Sequence, residues 1–291
     1  MKRIVFDRVI NAGNVAKLKT KFLSDKYIKT MITDDCDGYD RAGNLLFRFR
    51  KNIIPYDVLK SGVDAFRDSI TLNAGRGISA GGYHKQLRKD GTVGKFDVSP
   101  KVESGNVGFM DARRGSGTIA VCRKTAFARD HFQKYTNGIP FVKYIDKLYR
   151  EICPEQYARQ RAIADGTNKN YVIDDTAFTT VTVNRNFQTA VHKDSGDFND
   201  GFGNLIVHRS GDYDGGFFMI PEFGIGFDLQ NTDVLFVDVH KWHCNTEFKN
   251  TSDDFERISF VLYYREMMYK CLSPSNELKR IKMEQNGYLK L

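Results

Sequence analysis

Residues 178–194, FTTVTVNRNFQTAVHKD, decide the fold. Phe178 to Asn184 is a dense β-branched run, the composition of a buried strand. Further short runs of this kind follow near 204–208, 216–220, 227–229, 234–237 and 258–264, separated by turns such as Asp214-Gly215-Gly216. Upstream, residues 123–166 read as helical. Phe141, Tyr144, Ile145, Leu148, Tyr149 and Ile152 make one apolar stripe suited to packing on a sheet, and Pro154 restarts a helix. Helices first and a series of short strands after them predict an α+β chain with a double-stranded β-helix, or jelly-roll, core and supporting helices.

The same stretch ends on His192-Lys193-Asp194, just after a strand expected to end near Ala190. Alternation on extended backbone turns residues i and i+2 to one side, so one imidazole and one carboxylate can reach a common ion. A second imidazole lies further on, in Val239-His-Lys-Trp-His-Cys-Asn-Thr246. His243 is preferred to His240, because it stands just past the apolar run 234–237 and the Asn245-Thr246 turn can brace it. Two His and one carboxylate with open positions describe a non-haem Fe(II) oxygenase site. Arg257 lies 14 residues after His243 and opens the next strand, with Ser259 on its face. A guanidinium fork and a hydroxyl suit the distal carboxylate of 2-oxoglutarate. His208 alternates with Ile206 on a strand expected to face the site, which makes it a further candidate contact to the bound acid.

The rest of the chain sets bounds. Its 291 residues suffice for a full core, and 41% hydrophobic with 27% charged residues is ordinary for a globular protein. The net charge of +8 points to an anionic partner, nucleic acid first. Five cysteines at 36, 122, 153, 244 and 271, with no C-x-x-C pair, read as reduced thiols rather than a disulfide framework or zinc ribbon. The start MKRIVFDRVINAG lacks the apolar core of a signal peptide, and no apolar run approaches a membrane span. A cytoplasmic protein is expected. Neither a G-x-S-x-G elbow nor a phosphate-binding Gly-Lys-Ser/Thr loop is present.

Within residues 1–68, a strand is expected through Val5, Val9 and Ile10, a short helix over 14–25, a strand over 45–49 and a helix over 56–70. Residues 71–117 read as a long irregular stretch. Glycines at 75, 77, 81, 82, 91, 94, 105, 108, 115 and 117 alternate there with Arg76, Lys85, Arg88, Lys89, Lys95, Arg113 and Arg114. Such a loop lets a phosphate backbone come close. The whole of 1–291 is expected to be a single domain: a mixed support and Gly-rich region over 1–170, the catalytic core over 171–270 and a tail over 271–291.

These residues carry a resemblance. The runs TVNRNFQTAVHKDSGD, DYDGGFFMIP, DVLFVDVHKWHCNT and ERISFVLYYR, between Thr179 and Glu266, resemble the TET/JBP family of Fe(II)/2-oxoglutarate dioxygenases, its phage and viral members in particular. Arg76-Gly77 through Gly81 and Cys122-Arg123-Lys124-Thr125 look similar to family elements upstream. The resemblance implies Fe(II), 2-oxoglutarate and O2 as reagents, DNA as partner, and oxidation of the methyl group of 5-methylcytosine or thymine after the base flips out. It implies His192, Asp194 and His243 as iron ligands and Arg257 with Ser259 as the 2-oxoglutarate clamp. Asp197 would contact the flipped base, where its carboxylate would accept from a cytosine N4 amine. Arg76 would lie near cofactor or substrate, and Asn184 near substrate. Phe187, Phe198, Phe202 and Tyr213 are candidates to stack on the base. Cys244 departs from the family pattern, in which Gly is common, and a side chain there is expected to crowd the pocket. For a viral chain the compartment would be the host cytoplasm. Two other readings share the same skeleton: a 2-oxoglutarate oxygenase acting on a protein or small molecule, and a non-catalytic DNA-binding jelly roll.

Overall fold

A computed structural model describes residues 1–88, 91–112 and 121–285. The N-terminal part supplies β1 (Lys2–Phe6), α1 (Ala12–Ala16), β2 (Thr30–Ile32), β3 (Cys36–Asp40), β4 (Leu45–Arg50), α2 (Tyr56–Phe66), β5 (Thr71–Asn73), β6 (His84–Leu87), β7 (Val93–Val98) and β8 (Val102–Met110). Next come β9 (Arg123–Lys124), α3 (Ala126–Asp130), α4 (Phe132–Asn137), α5 (Ile139–Ile152) and α6 (Pro154–Gly166). The C-terminal part runs β10 (Thr180–Arg185), β11 (Gly203–Ser210), β12 (Asp214–Gly215), β13 (Phe218–Ile220), β14 (Ile225–Phe227), β15 (Val234–Val237), β16 (Cys244–Asn245), β17 (Phe248–Lys249), β18 (Glu256–Tyr263) and α7 (Pro274–Gln285).

Ten strands form a major sheet in the order β1-β3-β4-β15-β11-β18-β10-β8-β5, with β9 added to β8. A minor sheet runs β16-β13-β14-β2. The strands of the major sheet alternate between two apolar environments. Val181, Val183, Ile206, Phe236, Ile258, Phe260 and Leu262 face the helices. Leu205, Val207, Leu235 and Val237 face the minor sheet, where Phe218, Ile220, Ile225 and Phe227 meet them. That two-sheet interior is the jelly-roll core.

The helical layer follows from the stripe on α5. Phe141 packs on Phe260 with ring centroids 5.1 Å apart, and Tyr149 stacks between Phe178 and Phe236. Truncating a buried aromatic of this kind costs about 3–5 kcal/mol. The Gly-Gly turn has a backbone reason: Gly215 sits at φ +78, and a Cβ there would lie 2.0 Å from the Glu247 carbonyl oxygen.

Several local expectations are corrected. Residues 71–112 are not one irregular stretch, because four strands lie there and β8 joins the centre of the major sheet to its edge. Lys89, Arg113, Arg114, Gly115 and Gly117 lie outside the described residues. The first helix spans only Ala12–Ala16, and Val9 and Ile10 follow rather than join β1. Cys122 and Cys271 form a disulfide with Cα atoms 5.7 Å apart, while Cys36, Cys153 and Cys244 are free and buried. The partners stand 149 residues apart, so only the tertiary fold brings them together. No helix among the described residues is long and apolar enough to cross a membrane.

Candidate active site

The segment carrying His192 is extended and lies outside the named strands, and a β-bridge joins it to His243. The two backbones exchange both hydrogen bonds, His192 N to His243 O and His243 N to His192 O, each 3.0 Å. The expected strand is β10, which ends at Arg185 rather than near Ala190, and backbone pairing with His243 positions His192 instead. The imidazole centroids lie 4.3 Å apart. Each ring is oriented through Nδ1, His192 against the Ala190 carbonyl at 2.8 Å and His243 against the Lys241 carbonyl at 3.0 Å. With Nδ1 engaged as a donor, Nε2 is left as the lone pair that a metal takes. Both Nε2 atoms point at Asp194, each 3.4 Å from one of its carboxylate oxygens. One donor atom from each of the three residues lies within 4.8 Å of the others. Burial opposes charge on Asp194, yet the two imidazoles hold its carboxyl well below the usual carboxylate range. Burial would lower the His192 imidazole, but the Asp194 charge outweighs it and raises it. A cation is the natural occupant of such a set.

His240 does not join the cluster. Its ring sits beside Asp238, with Nε2 3.4 Å from the Asp197 carbonyl.

The other end of the same pocket is cationic. Arg257 projects from β18 into it and is 4% exposed. Among the described residues no carboxylate lies within ion-pair distance of its guanidinium; Asp228, whose charge acts on it, is bonded to Arg209. Burial lowers the Arg257 pKa, the signature of a cation kept from water without a counter-charge. Ser259 lies two residues along β18, opposite Asn184 of β10. Asn184 Nδ2 donates to Ser259 Oγ at 3.4 Å, Ser104 Oγ donates to Asn184 Oδ1 at 2.6 Å, and Arg76 Nε donates to Ser104 Oγ at 2.6 Å. A polar row thus runs across the pocket from Arg76 to Ser259. Leu205, Val237, Val239, Val261 and Phe218 supply the apolar walls.

Asp197 and Arg76 line the pocket beside the metal cluster. Phe187 is the only one of the four candidate stacking aromatics that does. Phe198 meets Tyr264 edge-on, Phe202 is in the helix-side core, and Tyr213 packs with Phe248 and Phe255.

Two expectations differ from the structure. His208 faces away from the pocket. On β11 it is Leu205 and Val207 that point inward, so His208 turns to the helix layer, 6.4 Å from the Tyr56 ring. Cys244 does not crowd the pocket either. Its neighbours His243 and Asn245 line it, while the Cys244 side chain packs with Leu23, Val191 and Met219.

Sequence reading missed Ser104, Thr182 and Tyr263. Thr182 and Tyr263 continue the inward faces of Asn184 and Arg257, and their hydroxyls lie 3.2 Å apart. Strand alternation alone would have found both. Ser104 was hidden because β8 was read as loop.

Residues 107–266 match the Tet_JBP family model, described as the oxygenase domain of the 2OGFeDO superfamily. The chain is 34% identical over 197 residues to thymine dioxygenase JBP1 of Trypanosoma brucei brucei, covering 66% of this chain and 23% of that protein. It is 32% identical over 278 residues to the bifunctional helicase and thymine dioxygenase JBP2 of Trypanosoma cruzi, covering 95% of this chain and 23% of that protein. The chain therefore spans less than a quarter of the length of these relatives. Among solved structures, NgTET1 in complex with 5mC DNA superposes with a TM-score of 0.58 at 15% identity, covering 94% of this chain and 99% of that one.

Proposed function

The chain belongs to the Tet_JBP family of oxygenase domains, and from that premise we propose that it hydroxylates the 5-methyl group of a pyrimidine in DNA, thymine or 5-methylcytosine, with Fe(II), 2-oxoglutarate and O2. The observation that carries the reading is one pocket with a three-donor metal cluster at one end and the uncompensated Arg257 guanidinium at the other. The donor set fits iron, and the charge of the opposite end fits a dicarboxylate.

In this reading His192, Asp194 and His243 would hold the metal. The Ala190 and Lys241 carbonyls fix the tautomers. Arg257 pairs with the distal carboxylate of 2-oxoglutarate, Ser259 adds a hydroxyl, and Asn184 with Ser104 holds that hydroxyl in place. His208 has no part in it. When bound, iron and 2-oxoglutarate supply the oxidising power, coupling decarboxylation of the co-substrate to insertion of one oxygen atom into a C–H bond. The apolar walls keep water from the reacting atoms.

A methyl group inside a duplex cannot reach this pocket, so the base must leave the stack. Asp197, Arg76, Thr182 and Tyr263 are the polar groups that would meet it. The names of the JBP relatives favour thymine, whereas an acceptor at Asp197 suits a cytosine amine, and both bases stay within the proposal. We take 1–291 as one oxygenase domain that acts on DNA in the cytoplasm, that of the host if the chain is viral.

The test is DNA-dependent turnover. Fe(II)-loaded protein should convert 2-oxoglutarate to succinate faster when methylated DNA is added. His192→Ala and Asp194→Ala should abolish this. Activity retained by either variant after metal removal would contradict the ligand assignment.

A further inference from the structure

The segment 17–29, KLKTKFLSDKYIK, carries five lysines against one aspartate. Lys17, Lys19, Lys21, Lys26 and Lys29 are all exposed. Asp25 is already paired, with Lys249 at 3.0 Å. Among the described residues no carboxylate lies within ion-pair distance of any of the five lysines. A charge run of this kind is ordinarily just a solvated surface, but the position of this one is specific.

Its backbone is bonded to the segment that presents the first metal-cluster histidine. Thr20 N donates to Val191 O and Val191 N donates to Lys21 O, both at 2.9 Å, one residue before His192. On the other side of that segment, Ala190 N donates to Ser79 O at 2.8 Å, and Ser79 lines the pocket with Arg76. The lysine run also packs closely on the Arg76 turn: a Cβ on Gly81 would lie 2.9 Å from the Phe22 ring, and one on Gly82 would lie 3.2 Å from Thr20. Phe22 itself is 52% exposed among the lysines. Lys193, between His192 and Asp194, is exposed on the same rim, 5.1 Å from the Trp242 ring. A dense, unneutralised positive surface is thus fixed to the edge of the pocket by backbone bonds. It also lies outside the part of the chain that matches the family model.

We propose that the lysine run 17–29, continued by Lys193, is the track that holds the phosphate backbone of DNA beside the nucleotide entering the pocket. This rests on the reading that DNA is the substrate. The chemistry is that of counterion release: each phosphate neutralised steepens the fall of affinity with salt by a slope of about 0.9.

The experiment is titration of a fluorescent methylated duplex with the full chain at several salt concentrations. Lys17, Lys19 and Lys21 are replaced together by Ala, and in a second variant by Arg. A control replaces Lys60, Lys143 and Lys147, exposed on α2 and α5, by Ala, giving the same change in net charge. The proposal expects the first variant to lose up to about 2.7 of the salt slope, with the Arg variant and the control keeping the wild-type slope. Wild-type binding with an unchanged slope in the first variant overturns the track while leaving DNA as substrate. An equal loss in first variant and control also overturns it, since net charge alone would then explain the effect. Failure of the wild-type chain to bind DNA at low salt overturns the track and the DNA reading together.

Discussion

Arg257 is a buried cation with no carboxylate within ion-pair distance among the described residues. Holding it costs stability in the free protein, because burial disfavours its charge and no carboxylate among the described residues compensates. Arg257→Met should therefore melt at or above the wild-type temperature when no 2-oxoglutarate is present. The wild type should gain about 2.7 kcal/mol at a hundredfold excess of 2-oxoglutarate over its Kd, measured with a redox-inert divalent metal, and the variant should gain nothing. Equal stabilisation of both proteins would remove Arg257 from the clamp. The three-donor cluster was legible in the sequence for a related reason. His-x-Asp, a later His and a following Arg each need a defined place on extended backbone, and spacing records that. His208 was misread because the side of a strand was judged from one neighbour, Ile206, which itself faces the helices. Leu205 and Val207, both set against the minor sheet, give the correct parity.

At the scale of elements, strong periodicity was readable and glycine was misleading. The α5 stripe and the runs 234–237 and 258–264 matched their elements closely, because burial on one or both faces leaves a regular apolar pattern. In β8 the signal was masked. Gly105 and Gly108 interrupt a nine-residue strand and look like loop residues. A Cβ on Gly105 would stand 2.1 Å from the Ser69 carbonyl oxygen, and one on Gly108 2.6 Å from that of Thr179. These glycines serve close backbone approach inside a sheet, and the misreading also hid Ser104. The α5 helix carries a pH-sensitive feature. Asp146 is raised above the usual carboxylate range by burial, although Ala177 N and the Tyr157 hydroxyl both donate to it. A raised folded-state value means that the native chain holds this proton more tightly than the unfolded one. Stability from this group is thus fully present below the unfolded carboxylate range and is lost as pH rises through the folded value. Asp146→Asn removes the charge while its Oδ1 still accepts from Ala177 N and its Nδ2 donates to the Tyr157 hydroxyl oxygen. Its melting temperature should exceed that of the wild type by a few degrees at neutral pH, and the gap should close towards about pH 4. A gap that widens on acidification would contradict the sign.

For the whole molecule, the first fifty residues carried little specific signal yet build both sheets. β1, β3 and β4 extend the major sheet beyond β15, and β2 closes the minor sheet on β14. Their pairing is parallel for β1 with β3 and for β2 with β14, a long-range choice that local pattern does not encode. The Cys122–Cys271 bond is illegible for the same reason, since it joins the approach to α3 with the segment before α7. The result is one pocket between two sheets, with metal donors from the loops at one end and Arg257 from the central strand at the other. Its rim carries the lysine run. The measurement that tests this account most directly starts from the Fe(II)-loaded chain, incubated with 2-oxoglutarate and air. The DNAs are one with ordinary thymine and one that also carries 5-methylcytosine, each digested to nucleosides for mass spectrometry. The account predicts a gain of one oxygen on the methyl-bearing pyrimidine, absent with Asp194→Ala. Succinate formation without any oxidised nucleoside would contradict it, keeping the metal site but taking DNA away as the substrate.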